Sequence, residues 1–525
     1  MESNPLPTKI ENKPRFSVRD LVLALVLLGA GYGWAELLPA TRYPLGGVVF
    51  VAALLGIALI YFRVCRSKLT AYALCVGAVA LVFAAAPLLG NTWLVRFPCF
   101  TVSLAACYYF VYLGLHPTAE QKLSDLFFFE MLKTHILLPF GNFGCFWRAL
   151  FARKQRTEDK KGMGVGLWIL LGLCAAVVPT MIIGALLSAD SAFAAFWDRF
   201  IDFDLGDWFW KTIVAILFAM WVFGLYFGAG RGRFANVLTE ENRRSYRASL
   251  RFAPRPFVIA TLAPVFLLYL LFFISQGGYL FPAFYGLLPA DFTLATFARQ
   301  GFGYLCGVAF INALYALALC TLQKKEEGQK NGLARGVIVA LCAVTLLLIA
   351  SALARMALYI GGYGLTLDRV YATWFILVLA VGFVLLLIKQ FREQFQFTRW
   401  LVLSGLVMLL GLTLLRPVNL VANYNVNAYL SGRLEEIDVH HLGTIGDDAL
   451  PHLLRLRQAR GTSDEIKEKV DKVFSREAGG GWDWLMVRSD SPFAWSLSSA
   501  RRQNAINEWK RLPDRQVFDS WNWWV

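Results

Sequence analysis

Charged residues are scarce in this sequence. Of its 525 residues, 17% are charged and 57% are hydrophobic, and the mean hydropathy is +0.53. Soluble globular domains carry about 25% charged residues. A chain of this length with so little charge has too few polar side chains to cover a water-soluble surface, so the composition predicts a membrane protein.

The sequence also lacks the short motifs that identify common active sites. No G-x-S-x-G, P-loop, H-E-x-x-H or dinucleotide-binding fingerprint occurs in a context that would support a site, and no C-x-x-C pair occurs. We therefore predict no catalytic residue, no metal site and no cofactor. The chain has nine cysteines, and none falls after residue 342, which argues against a disulfide framework in the C-terminal region.

Long apolar runs recur along the first four fifths of the chain. A helix needs about 20 apolar residues to cross a bilayer. Eleven runs reach this length, and they are continuously apolar rather than alternating, which favours helices over the strands of a barrel. The sequence predicts an all-α, polytopic transmembrane helix bundle with spans near 20–38, 45–62, 69–89, 93–115, 164–187, 209–229, 256–276, 301–322, 335–360, 369–388 and 399–415.

The distribution of lysine and arginine between the loops predicts the orientation. The N-terminal tail and the even-numbered loops are rich in basic residues, whereas the odd-numbered loops hold only Arg42 in the first, Arg199 in the fifth, Arg299 in the seventh and Arg369 in the ninth. Basic loops stay in the cytoplasm, so we expect the N-terminus inside and, after eleven spans, the C-terminus outside. These loops account for most of the net charge of +15 and predict contact with anionic lipid headgroups, with no nucleic-acid partner.

These patterns divide the chain into three parts. Residues 1–19 form a cytoplasmic tail, 20–415 form the transmembrane bundle, and 416–525 form a small helical extracytoplasmic domain that could meet a protein partner. Two aromatic, partly charged stretches near 123–152 and 190–208 predict interfacial helices; a re-entrant segment is the alternative for the first. Because the C-terminal domain is rich in tryptophan, we expect it to pack on the outer face of the bundle through those side chains.

One charged side chain stands out within the spans. Arg355 lies in the outer part of the ninth run, followed by Tyr359, Tyr363 and Asp368 around a glycine-rich break. Its candidate partners or neighbours at the outer mouth of the bundle, also read from the sequence, are Asp190, Glu36 and Arg96. Three roles stay open: a snorkelling charge, a structural clip to a carboxylate, or an anion site.

Other polar residues have simpler interpretations. Asn312 is expected to form a hydrogen bond between spanning helices. A group of asparagines after the last span is expected to satisfy turns or caps, namely Asn419, Asn423, Asn425 and Asn427. The following stretch with His440, His441, Asp447, Asp448 and His452 does not have zinc-ligand spacing, and we expect a solvated helix-capping segment.

Several segments resemble a bacterial family of multi-spanning membrane proteins known as a domain of unknown function. They are LLSADSAFAAF, FARQGFGYL, SALARMALYIGGYGLTLDRV, NLVANYNVNAYL, LGTIGDDALPHLLRL and, near the end, FAWSLSSARRQ. The resemblance covers roughly the second two thirds of the chain and departs from the family at NVNAYL, where a basic residue is expected after Asn-Val. It implies bundled helices and supplies no activity.

Three classes of function remain for a protein of the bacterial inner membrane. The first is a non-catalytic sensor, scaffold or assembly factor. The second is a carrier or flippase for an amphipathic anion with its site near Arg355. The third is a polyprenyl-phosphate-sugar-dependent glycosyltransferase, which the short first outer loop, LPATRYP, argues against.

Overall fold

The computed structural model describes residues 16–37, 44–90, 92–124, 127–151, 205–234, 252–280, 294–322, 332–392, 394–479 and 495–518. Within these ranges the regular structure is helical and no strand is present. The helices are α1 (Val18–Leu37), α2 (Pro44–Cys65), α3 (Ala71–Ala85), α4 (Trp93–Leu115), α5 (Phe127–Leu132), α6 (Leu138–Gly141), α7 (Cys145–Leu150), α8 (Leu205–Gly230), α9 (Arg255–Leu280), α10 (Leu294–Leu322), α11 (Gly332–Tyr363), α12 (Leu367–Phe391), α13 (Phe397–Leu415), α14 (Pro417–Leu430), α15 (Val439–Thr444), α16 (Leu450–Gln458), α17 (Asp464–Gly479) and α18 (Leu497–Trp509).

Nine helices of the described ranges are long and apolar enough to cross a membrane. They are α1 to α4, α8, α9 and α11 to α13, and each coincides with a predicted span. The predicted span 301–322 lies on α10, whose described apolar part, Gly303–Leu319, is shorter. The predicted span 164–187 lies outside the described residues. The prediction of a multi-pass helical protein is confirmed.

The first group of helices, α1 to α8, packs closely because small residues let backbones approach. Gly31 of α1 faces α8 so tightly that an added Cβ would lie 2.3 Å from the carbonyl oxygen of Ala215. Next to this contact, the Trp34 ring stacks on Phe218 and on Phe100, with centroids 5.4 and 5.7 Å apart. Such close approach is how helices gain packing energy where lipid provides no hydrophobic drive.

The predicted interfacial stretch 123–152 forms three short helices rather than one. A π-turn at Lys133–Leu137 separates α5 from α6, and α6 ends at Gly141. Leu138 is buried against α8, Phe128 is exposed, and the partly exposed ring of Phe140 lies 5.2 Å from the Trp221 ring of α8. The Glu130 carboxylate is buried and accepts hydrogen bonds from the Tyr109 hydroxyl at 2.5 Å and the Glu120 N–H at 2.9 Å. Burial raises the pKa of Glu130. Of the predicted interfacial helix 190–208, residues 190–204 lie outside the described part of the chain.

The second group, α9 to α12, is joined by a polar network inside its core. The Tyr269 hydroxyl of α9 donates to Asn312 Oδ1 of α10 at 2.7 Å. Asn312 Nδ2 in turn donates to Thr345 Oγ1 of α11 at 2.8 Å. The prediction that Asn312 forms an interhelical hydrogen bond is confirmed.

The C-terminal helices α14 to α18 share one apolar core with one end of the spanning helices. Phe83 and Val95, from α3 and α4, belong to the same buried cluster as Val421 of α14 and Leu453 of α16. The tryptophans were expected to pack on the bundle, and Trp509 does not. It is buried inside the C-terminal helices, where its ring stacks 5.6 Å from the Phe474 ring of α17 and its Nε1 donates to Asp471.

Both groups of spanning helices meet at this same end. The Tyr371 hydroxyl of α12 donates to Thr92 Oγ1 before α4 at 2.8 Å, and Cys99 of α4 contacts Thr413 of α13 at 3.4 Å. The predicted outer turns at 86–92 and 361–366 and the predicted exit of the last span at Arg416 therefore lie together.

Candidate functional site

The predicted cluster around Arg355 is divided between several places. Arg355 is buried on α11, with 6% of its surface exposed. Tyr359 and Tyr363 lie together one and two turns further on, with ring centroids 5.3 Å apart. The cation over Tyr359 is Arg369, whose guanidinium carbon lies 3.8 Å from the ring centroid. Arg369 also donates to the carbonyls of Tyr363 and Gly364 and so caps the end of α11.

The predicted carboxylates occupy different surroundings. Glu36 accepts a hydrogen bond from Lys211 of α8 at 2.9 Å. Asp368 is exposed in the first turn of α12, and Asp190 lies outside the described residues. Arg96 lies at the start of α4, where its charge acts on Asp447. The carboxylate partner of Arg355 therefore stays a prediction.

The turn between α11 and α12 is held by one side chain from α14. Asn425 Nδ2 donates to the Leu365 carbonyl at 2.7 Å, and Asn425 Oδ1 accepts the Leu365 N–H at 2.8 Å. Gly364, with φ of +76°, makes this possible, because a Cβ there would lie 2.6 Å from Asn425 Oδ1. The glycine-rich break is thus the docking point of α14 on the spanning helices.

A buried carboxylate, Asp448, lies where the last span meets the C-terminal helices. Arg416, in the left-handed conformation between α13 and α14, donates to Asp448 Oδ1 at 2.6 Å. Ser498 of α18 donates to Asp448 Oδ2 at 2.8 Å and lies 3.3 Å from the Leu89 carbonyl oxygen, so its hydroxyl is shared between the two. Arg501 lies 3.4 Å from the same carboxylate. We call this arrangement of Arg416, Asp448, Ser498, Arg501 and the Leu89 carbonyl the outer junction, after the side of the membrane that the sequence predicts for this end.

A second carboxylate, Asp447, lies beside the outer junction. Burial raises its pKa, and the nearby guanidinium of Arg502, 3.7 Å away, opposes that shift. Arg502 also binds Glu477 of α17 at 2.8 Å. The prediction that this stretch is a solvated cap is wrong for Asp448, which is 3% exposed, because the guanidinium of Arg416 and the hydroxyl of Ser498 satisfy its oxygens inside the protein.

Of the four asparagines after the last span, Asn425 satisfies a turn, whereas Asn419, Asn423 and Asn427 bridge α14 to α16, which corrects the sequence interpretation for these three. His452 Nε2 of α16 lies 2.9 Å from Asn419 Oδ1 and donates to it. Arg455 donates to Asn427 at 2.8 Å and to Asn423 at 3.3 Å. Burial, followed by the charges of Arg455 and Arg416, lowers the pKa of His452 to about 4.

The outer junction holds elements together. Two guanidinium groups, those of Arg416 and Arg501, and the Ser498 hydroxyl lie at hydrogen-bond distance from the Asp448 carboxylate and fix the orientation of α14 and α18 against the end of α3. The described residues hold no group of three or more histidine, cysteine, aspartate or glutamate side chains that could bind a metal ion together. The segments that resemble the family could have identified the residues of the outer junction. Two of them, GDDALPHLLRL and SSARRQ, contain Asp448, Ser498 and Arg501.

The many long apolar helices define a multi-pass membrane protein of the all-helical class. The chain belongs to the family described as a domain of unknown function (DUF4153), whose match covers residues 52–456. The resemblance in sequence was expected to cover roughly the second two thirds of the chain. The family match begins and ends earlier than that, and Ser498 and Arg501 lie beyond its end. No curated protein and no solved structure matches the chain significantly.

Proposed function

We propose that this protein is a non-catalytic scaffold, sensor or assembly factor of the bacterial inner membrane. In this proposal the spanning helices anchor it with the N-terminus in the cytoplasm, and α14 to α18 stand on the outer surface, where they meet a protein partner. The observation that carries the proposal is the outer junction, which ties the C-terminal helices to the ends of α3, α4, α12 and α13. A fixed helical unit at a membrane surface suits protein recognition, since little ordering entropy remains to be lost on binding.

The loop charges support the orientation. Turns with few basic residues gather at the junction end. At the other end, Arg231 binds the buried Asp20 at 2.9 Å, and His116 contacts the Arg233 carbonyl. This second end carries the basic sequence that is expected to remain in the cytoplasm.

Cysteine accessibility tests the proposal. We expect a membrane-impermeant maleimide to label Gln503→Cys in intact cells whose outer membrane has been permeabilised, in a background without the native cysteines. Ser3→Cys and Ser245→Cys should react after the inner membrane is opened. Gln503 is the appropriate position because it is exposed on α18. Equal reactivity of Gln503→Cys and Ser245→Cys in intact cells would place both on one side and refute the orientation.

A further inference from the structure

A groove runs between α16 and α18, which lie side by side and parallel. Arg501, in the first half of α18, lies beside Asp448 just before α16, and Glu508 near the end of α18 accepts a hydrogen bond from Gln458 at 3.1 Å. The groove has a volume of about 290 Å³. The lining positions of each helix are spaced i, i+3, i+4 and i+7, so the groove is about 10 Å long at helical rise.

The groove has an apolar floor and two arginines among its lining residues. Pro451, Leu454 and Ala505 are its apolar lining residues, and Arg455 and Arg501 supply its positive charge. The small side chain of Ala505 leaves the space open. Glu508 lies at the far end, where its carboxylate is bound by Gln458.

Both arginines are held in place by neighbours. Arg455 uses Nη2 to donate to Asn423 and Asn427, and Arg501 uses Nη1 toward Asp448. Each guanidinium has five N–H donors, so these contacts leave donors for a ligand. Side chains that are already ordered lose less entropy when they bind, which favours recognition.

We propose that this groove binds a short acidic and apolar peptide segment of an extracytoplasmic protein. The segment would place a carboxylate between Arg455 and Arg501 and an apolar side chain on the floor. Charge complementarity selects the carboxylate, because guanidinium groups bind it with charge-assisted hydrogen bonds. The length of about 10 Å fits about three extended residues. The location of the partner outside the cytoplasm rests on the proposed function, whereas the chemistry of the groove does not.

Fluorescence anisotropy on the full chain in lipid nanodiscs tests this binding. The probe is a fluorescein-labelled tetrapeptide in which two aspartates flank leucine and phenylalanine, and the comparison peptide has lysines in place of the aspartates. We expect saturable binding of the acidic peptide and binding of the basic peptide that is about tenfold weaker or worse. Arg455→Gln should weaken the acidic peptide by about tenfold, since it removes one of two cations.

Two further variants keep the test independent of folding. Asn504→Trp adds a bulky ring at the exposed rim of the groove and should block the peptide without altering the interior. Arg460→Gln removes an exposed arginine outside the groove and should leave affinity unchanged within about twofold. Each variant is first shown to melt like the wild type.

Three results would overturn the groove proposal: no saturable binding of the acidic peptide, equal binding of both peptides, or equal losses in Arg455→Gln and Arg460→Gln. These outcomes are distinguishable from a failure of the proposed function. If the peptide binds in nanodiscs but labelling in cells places Gln503→Cys in the cytoplasm, the groove proposal is retained and the orientation is rejected. If labelling places Gln503→Cys outside but the peptide does not bind, the orientation is retained and the groove proposal is rejected.

Discussion

Replacing Asp471 with alanine is expected to destabilise the C-terminal helices by about 3–5 kcal/mol. The Asp471 carboxylate is 1% exposed and accepts two hydrogen bonds from Arg457, at 2.6 and 3.0 Å. It also accepts from Trp509 Nε1 at 2.6 Å and from the Gln516 N–H at 2.9 Å. The alanine variant leaves the buried Arg457 guanidinium with the exposed Asp514 carboxylate, 3.3 Å away, as its ion-pair partner, and leaves two further donors without this acceptor. Loss of the buried partner of an ion pair is costly.

Glu468→Ala is the matched control for this prediction. Glu468 lies one turn earlier on α17, its side chain is 44% exposed, and it pairs with Lys472 at 3.1 Å. An exposed pair of this kind contributes about 0.5 kcal/mol. Denaturant unfolding of the full chain in nanodiscs, followed by hydrogen exchange of α16 to α18, compares the two. Losses of equal size would mean that the Arg457–Asp471 pair does not hold the core.

The second large effect is expected at the outer junction. Asp448→Ala removes the acceptor of Arg416 and Ser498 and a neighbour of Arg501, and should destabilise the contact between the C-terminal helices and the spanning helices by about 2–4 kcal/mol. The estimate is below that for Asp471, because the Arg416 side chain is 21% exposed and can be partly hydrated. Hydrogen exchange should rise in residues 439–458 and 497–509 and stay unchanged in α1 and α8.

Asp438→Ala provides the comparison, since Asp438 caps α15 through the His441 N–H at 2.8 Å and does not belong to the outer junction. Loss of a cap of this kind costs about 1 kcal/mol and loosens one helix. If Asp448→Ala changed exchange no more than Asp438→Ala, or changed it throughout the chain, the junction would not be the specific attachment.

The spanning helices could be predicted because their signal is local. Each of α2, α3 and α13 is a continuous apolar run, and a run of that length in lipid must satisfy its backbone hydrogen bonds within itself. A break was also predicted from Gly361, Gly362 and Gly364. In the structure α11 continues through the first two glycines, and only Gly364 lies in the turn. The role of Gly364 could not be predicted from the sequence. The side chain that it accommodates, Asn425, lies 61 positions later and belongs to no sequence motif that indicates the contact.

The outer junction could not be predicted for the same reason. Ser498 meets the Leu89 carbonyl across 409 positions of sequence, and neither residue has a periodicity that indicates the contact. Charge misled the interpretation as well: Asp447 and Asp448 look solvated in a polar segment, yet the approach of α18 buries Asp448. The emphasis on Arg355 came from the cost of a charge in lipid. Arg355 is buried on α11, and the role of its side chain stays a prediction.

Cross-linking of Leu89→Cys to Ser498→Cys tests the attachment of the C-terminal helices most directly. A flexible bismaleimide is added to membranes that contain the protein without its native cysteines, and a protease site inserted in the polar stretch 323–331 separates the two halves afterwards. We predict that the halves stay joined, because the Ser498 hydroxyl lies 3.3 Å from the Leu89 carbonyl oxygen. Leu89→Cys with Gln503→Cys, on the exposed side of the same helix, should separate. Separation of the first pair, or equal joining of both, would contradict the attachment.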